Sequence, residues 1–480
     1  MINISNRVLV LFSSALLFVA AGCYAFTQEI YFFVAPVILL LAVLLIQHPQ
    51  YLFYLLMLSI PWSVEFNFNA SLGTDLPDEP LMLLAALSVV IYLVYRQKII
   101  RIKLHPLVAV VWLQCLWTLI TVITSADVVL SIKYLLAKGW YLLAFLALPI
   151  FLFEDERVLK RSIQLLLFST MIAMMTALIR HGINRLTFET VNDSLQPFFR
   201  NHVNYSTLLI FMVPIQIAII KLIDSKATQM FFICLLIITC IAVYFSYSRG
   251  AWLALIAGFC SYWLLKRRIL VLSFLLFLSI VMASVFWLKS NDRFIRLSND
   301  YKSVIYHSDF REHLEATYQL KDLSNAERIY RWVAGVRMVK DNWKTGLGPS
   351  TFYPRYKSYT LPAFKTYVSD NPEHSTVHNY FLLMLIEQGV LGCLLFIGLV
   401  TALFWYAQKV YLQANEKFWR IVVSAATSIL IMECVINFLS DMIETDKAGS
   451  FFYLCVAVIV VADLKTKKLS NFSSNIQGIS

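Results

Sequence analysis

Long apolar blocks alternate with short polar connections along this chain, and most blocks come near the ~20 residues that carry a helix across a bilayer. They predict spans at about 8-26, 31-47, 50-64, 80-96, 106-125, 137-153, 158-179, 206-223, 228-247, 250-265, 269-288, 388-408, 418-438 and 447-463. Fourteen is a ceiling, because 50-64 and 137-153 are short and can be re-entrant or merged; the expected number is about 12-14. One long polar segment interrupts the series. The pattern therefore divides into N-terminal membrane helices over 1-288, a large loop with amphipathic helices over 289-387, and C-terminal membrane helices with a tail over 388-480.

Composition agrees with that pattern. Of 480 residues 59% are hydrophobic and 14% charged, with a mean hydropathy of +0.70, which excludes a soluble fold and points to an all-α polytopic membrane protein. The eight cysteines lie in or beside apolar runs with no C-x-x-C spacing and read as packing residues, not as disulfides or metal ligands. Arg7 followed by an apolar run ending in Ala20-Ala21-Gly22-Cys23 imitates a lipoprotein signal. A second apolar run follows at once, so the block reads as a first membrane helix.

The formal net charge of +11 is explained by topology. With the N-terminus inside, nineteen Lys and Arg fall on the inner side and seven on the outer, Arg200 and Arg249 among the latter. Nucleic acid is thereby removed as a partner. Segment 289-387, the connection 180-205 and the turn Ser248-Arg249-Gly250 come to share the outer face. Within 289-387, Ser324-x-x-Glu327 reads as a capping box, and behind it Ile329, Trp332, Val333 and Val336 form one apolar stripe of a surface helix. The helix ends near Gly346-Leu347-Gly348-Pro349, where the chain must turn.

The chemistry-bearing residues gather on that face. Asn371-Pro372 predicts a helix start, with His374 and His378 one turn apart. An imidazole at a lipid-water boundary, with an ordinary pKa of about 6.5, can act as a base near neutral pH. A metal pair at H-x-x-x-H lacks a third ligand and is not favoured. Gly389 and Gly392 open the next apolar run and let a backbone or a bulky lipid approach. Arg249 is either a cation snorkelling to headgroups or a fixed guanidinium for an anionic group, whose fork suits phosphate. Arg328 is either a solvated helix charge or a second such cation. Asp75, Asp78 and Glu79 read as a solvated outer loop before a cation site. Glu433, inside a span, is either a proton or ion relay or a helix-packing group.

His378-Asn379, nine residues, then Gly389-x-x-Gly392 resembles the H-[NSQ]-x9-G-x-x-[GTV] motif of bacterial O-antigen ligases, within the O-antigen polymerase and ligase superfamily. Ser248-Arg249-Gly250-Ala251 resembles that family's arginine at an outer helix end. Arg328 with Trp332, then Gly346-x-Gly348 and Phe352, resembles its R-x-x-x-W...G-x-G...F pattern, with Lys344 or Thr345 where a proline is usual. The resemblance implies a glycosyltransferase-C-like fold, a periplasmic active site in a bacterial inner membrane protein, and no cofactor or required metal. It implies an undecaprenyl-diphosphate-linked glycan as donor and lipid A-core as acceptor.

On that implication His378, Arg249 and Arg328 are the expected catalytic residues, and Asn379, Gly389, Gly392 and Arg200 the expected substrate contacts. A glycosyl diphosphate has a good leaving group and needs charge neutralisation more than a general acid. The acceptor hydroxyl needs His378 as base or activator, and a single displacement inverts the anomeric centre. A polymerase or a protein O-oligosaccharyltransferase uses the same donor chemistry with another acceptor. A lipid or ion-coupled transporter built on Glu433 is the reading from a different class.

Overall fold

The computed structural model describes residues 42-43, 45-69, 72-95, 105-289, 323-360 and 376-477. The expected span 8-26, and 31-47 as far as residue 41, lie outside them. Among the described residues eight helices are long and apolar enough to cross a membrane. They are α3 (Pro106–Ile123), α4 (Val128–Leu152), α5 (Glu156–Ile183), α6 (His202–Leu222), α7 (Lys226–Phe245), α13 (Tyr380–Gln413), α14 (Lys417–Leu439) and the Asp446–Lys467 part of α15 (Asp446–Gln477). The chain is an all-α, multi-pass membrane protein.

The chain separates into two units, one from residues 1-103 and 140-171, the other from 104-139 and 172-480. In the first, α1 (Pro49–Ser59) is too short to cross and packs on α2 (Asp78–Tyr95). Between them stands a hairpin of β1 (Val64–Asn69) and β2 (Leu72–Leu76), antiparallel with Val64 opposite Leu76 and Phe66 opposite Thr74. The alternation V-E-F-N-F-N is the period-2 signal of a strand, so the expected span 50-64 ends early. Asp78 accepts from Ser63 Oγ at 2.5 Å and Glu79 from Thr74 Oγ1 at 2.5 Å, so these carboxylates close the hairpin base.

The second unit is built on α14, which packs against α6, α8 (Arg249–Phe259), α13 and α15. The α6 and α15 spans are the most buried, at 72% and 83%, while α7 at 17% faces outward. Polar caps start these helices. His105 Nδ1 accepts from Leu107 N at 3.2 Å before Pro106, and Asn201 accepts from Val203 N and Asn204 N at 3.0 Å. The expected span 250-265 is broken at Cys260 into α8 and α9 (Ser261–Arg267), and α10 (Leu270–Lys289) follows. Beyond residue 322 come α11 (Leu323–Asp341) and α12 (Phe352–Tyr356), both packed on α13.

The stripe predicted for α11 is not the buried one. Glu327, Arg331, Ala334 and Met338 are buried, while Val336 is half exposed. The face toward the protein thus carries a charge pair, Arg331 Nε lying 3.9 Å from Glu327 Oε2. Glu327 is turned to Arg331, the side chain of Ser324, on which the expected capping box depends, lies outside those described, and Gly335 lets α11 sit close to Ile386, Leu382 and Val377.

Candidate functional site

α13 is broken where the sequence places its glycine. Gly389 has φ +68° and ψ −171°, which interrupts the helix and frees carbonyls of the turn before it. The Gly346-Leu347-Gly348 loop supplies their partners: Leu347 N donates to Ile386 O and Gly348 N to Glu387 O, both at 2.9 Å, and Trp117 Nε1 donates to Gln388 O at 2.9 Å. In return Val390 N donates to Trp343 O at 2.9 Å. The two segments interlock through their glycines. A Cβ on Gly389 would stand 2.3 Å from Lys344 O, and one on Gly346 would stand 2.5 Å from Glu387 O. Buried Glu387 completes the joint by accepting from Ser350 N at 2.9 Å and Phe352 N at 3.1 Å. From below, Ser131 Oγ donates to Pro349 O at 2.7 Å and Ala126 N to Leu347 O at 2.8 Å.

Residues 376-379 lie between α11 and the turn joining α14 to α15. Trp332 Nε1 donates to Val377 O and Tyr380 N to Ser440 O, each at 3.1 Å. His378 sits in the left-handed region at φ +52°, a conformation that costs about 1–3 kcal/mol and is found where surrounding contacts impose it. The helix expected from Asn371 is therefore not followed at His378; Asn371 and His374 lie outside the described residues. The helix starts at Tyr380, and Asn379 is its cap, accepting from Leu382 N at 3.0 Å.

Arg331 Nη1 donates to His378 Nε2 at 2.8 Å and to Thr376 O at 3.2 Å. On the other side of the ring, His378 Nδ1 lies 4.0 Å from Asp441 Oδ1. Burial, then the guanidinium charges of Arg331 and Arg328, hold the His378 pKa down to about 3. The ring is thus neutral near pH 7. Burial pushes the Asp441 carboxyl above its ordinary value, opposed by a hydrogen bond from Thr376 and helped by the charge of Glu444. Glu444 Oε1 itself accepts from Tyr134 Oη at 3.1 Å and lies 3.5 Å from Lys138 Nζ.

Of the expected site residues, His378 is the one bound by an arginine, Arg331, which was not among them, while the charge of Arg328 contributes to holding the imidazole neutral. Arg249 opens α8 after a turn held by Tyr247 at φ +55°, whose hydroxyl donates to Leu186 O at 2.6 Å. Its neighbour Gly250 faces Leu439, two residues before Asp441, so Arg249 belongs to the same end of the second unit. Arg200 is exposed beside Phe199, against whose ring Lys447 Nζ lies at 4.6 Å from the centroid. Asn379, Gly389 and Gly392 serve the backbone: a cap, the loop contact, and close packing where a Cβ on Gly392 would meet Gln388 and Trp117. Glu433 accepts from Asn437 Nδ2 at 2.6 Å, and Asn437 Oδ1 in turn accepts from Ile443 N at 2.9 Å, which ties Glu433 to the turn that carries Asp441.

Sequence reasoning missed Arg331, Asp441 and Glu387. Arg331 follows Arg328 by three residues, one helical turn, and Asp441 and Glu444 lie in a short turn between two spans on the side assigned to His378. Those positions were the available signals. No curated protein matches the chain. Residues 234–397 match the family model described as O-antigen ligase, a stretch that contains Arg249, Arg328, both glycine pairs and His378 but neither Arg200 nor Asp441. That stretch, about a third of the chain, is similar to the O-antigen ligase domain, a family of membrane enzymes acting on glycans, and it supports an assignment to that family.

Proposed function

We propose that this protein is an O-antigen ligase-like glycosyltransferase that moves a glycan from undecaprenyl diphosphate to a lipid A-core hydroxyl, with inversion and without a required metal. The observation that carries the reading is His378, held against Arg331 at 2.8 Å inside the matched domain. In it, Arg328 and Arg249 neutralise the departing diphosphate, as two guanidiniums suit its paired phosphates. His378 engages the acceptor hydroxyl as base or activator. Arg200, exposed at its loop, meets the glycan or headgroup, and Asn379, Gly389 and Gly392 act by shaping the backbone around it.

The same reading sets the protein in a bacterial inner membrane, N-terminus in the cytoplasm, with 289-387 and the site in the periplasm between the membrane helices of 1-288 and 388-480. The prenyl chain stays in the bilayer while the glycan projects from it. Purified protein, an undecaprenyl-diphosphate-linked glycan and lipid A-core, assayed with and without EDTA, test it. Product that persists in EDTA and vanishes in His378→Ala is expected. Glycan lengthening without attachment to the core makes the enzyme a polymerase, transfer to a protein hydroxyl makes it a protein O-oligosaccharyltransferase, and no turnover of any lipid-linked donor overturns the proposal.

A further inference from the structure

We propose that Asp441 is the proton acceptor for the attacking hydroxyl, and that His378 holds the hydroxyl oxygen through Nδ1–H. The inference rests on the glycosyl-transfer reading and divides the work at its acceptor side. Arginine has donors only, so the 2.8 Å contact from Arg331 Nη1 makes His378 Nε2 an acceptor. A neutral imidazole carries one proton, which must then be on Nδ1. That leaves His378 with no free lone pair on either nitrogen, and the ring is a donor at the face it presents to Asp441.

The distance fits a third atom. Nδ1 and Asp441 Oδ1 are 4.0 Å apart, too far for a direct hydrogen bond. An oxygen between them can stand at about 2.8 Å from each, accepting from Nδ1–H and donating to Oδ1. Both side chains can be reached, with 33% of His378 and 17% of Asp441 exposed, whereas Arg331 behind the ring is at 3%. Thr376 fixes the carboxylate: its hydroxyl accepts from His378 N at 3.3 Å and donates to Asp441. Burial raises the basicity of Asp441.

In the step so drawn, the hydroxyl proton passes to Asp441 Oδ1 as the oxygen bonds the anomeric carbon. The bond from that carbon to the phosphate oxygen breaks, and its electron pair leaves with the diphosphate toward Arg328 and Arg249. No oxidant or other reactant is needed.

The test uses the full-length protein with an undecaprenyl-diphosphate-linked glycan and lipid A-core. Asp441→Asn is expected to lower kcat by about 100-fold or more, the scale of general-base catalysis, with KM for the donor within about twofold. The acidic limb of the wild-type pH profile is expected to vanish with it. The charged groups around Asp441 are Glu444 on its own turn, Arg331 on α11, His378 and Glu387, and they remain in the variant. Asp441→Glu, the second variant, keeps the charge and is expected to keep the limb with kcat down about tenfold. Asp441→Asn within about threefold of wild type, or a flat profile in Asp441→Glu, overturns the assignment alone. Wild-type protein that transfers no glycan overturns it together with the transferase reading.

Discussion

Arg331 and His378 are joined so that the arginine's donor takes one ring nitrogen and leaves the ring's single proton on the other, facing Asp441. The first prediction follows from that pairing. ¹⁵N spectra of histidine-labelled protein, assigned with His378→Gln, should show His378 neutral and protonated on Nδ1 from pH 8 down to about pH 5, given a pKa held down to about 3. A proton on Nε2, or titration near its ordinary value of about 6.5, defeats the arrangement.

Linkage gives the matching stability effect. The folded His378 pKa lies below the unfolded one, so between about pH 3 and pH 6.5 the unfolded state binds the extra proton. The contribution is complete above about pH 6.5 and is lost as pH falls toward 3. Melting curves at pH 7.5 and pH 4.5 should therefore show a larger acid-induced drop in Tm for wild type than for His378→Gln; equal drops count against it.

Arg331→Ala should be more damaging than loss of an exposed arginine. It leaves Glu327 without its ion-pair partner in a buried setting, costing about 3 kcal/mol, and frees His378 Nε2. Transfer should fall at least tenfold, and the His378 pKa should rise when followed by NMR. A variant with wild-type Tm and rate removes Arg331 from the site.

Gly389→Ala is expected to lose at least about 2 kcal/mol, because positive φ and a collision with Lys344 O act together. Glu387→Gln should cost about 1–3 kcal/mol, since an amide offers one acceptor oxygen where two backbone N–H groups now find two. Denaturant melts in detergent measure both, and unchanged midpoints refute the interlock.

Glu433→Gln should retain transfer within about threefold. The Gln carbonyl can still accept from Asn437, and the tie to Ile443 N survives. Loss of activity in this variant while His378→Ala stays active would favour the transporter reading.

Much of the plan was legible because bilayer spans are written in long apolar runs. The runs at 106-125, 158-179, 206-223, 228-247, 418-438 and 447-463 reappear as helices within a few residues. What hydropathy does not encode is a local exception to helix. The hairpin at Val64–Leu76 speaks in period 2, and Cys260 breaks a run that remains apolar on both sides. Charges could be assigned to an expected outer face but not paired as neighbours, because Arg331 lies on α11 and Asp441 in the turn after α14, 110 residues apart in sequence. The α11 stripe failed for a related reason: amphipathicity assumes an apolar destination, and this helix packs its charged side toward His378.

The glycine joint between Gly346 and Gly389 also limits how this protein can be re-engineered. Each half satisfies the other's broken backbone, so a substitution or insertion in one half is felt by the other. A chimera that borrows the 323-360 segment from a relative to change glycan preference must bring 380-392 with it, and the pair has to be transplanted as one cassette.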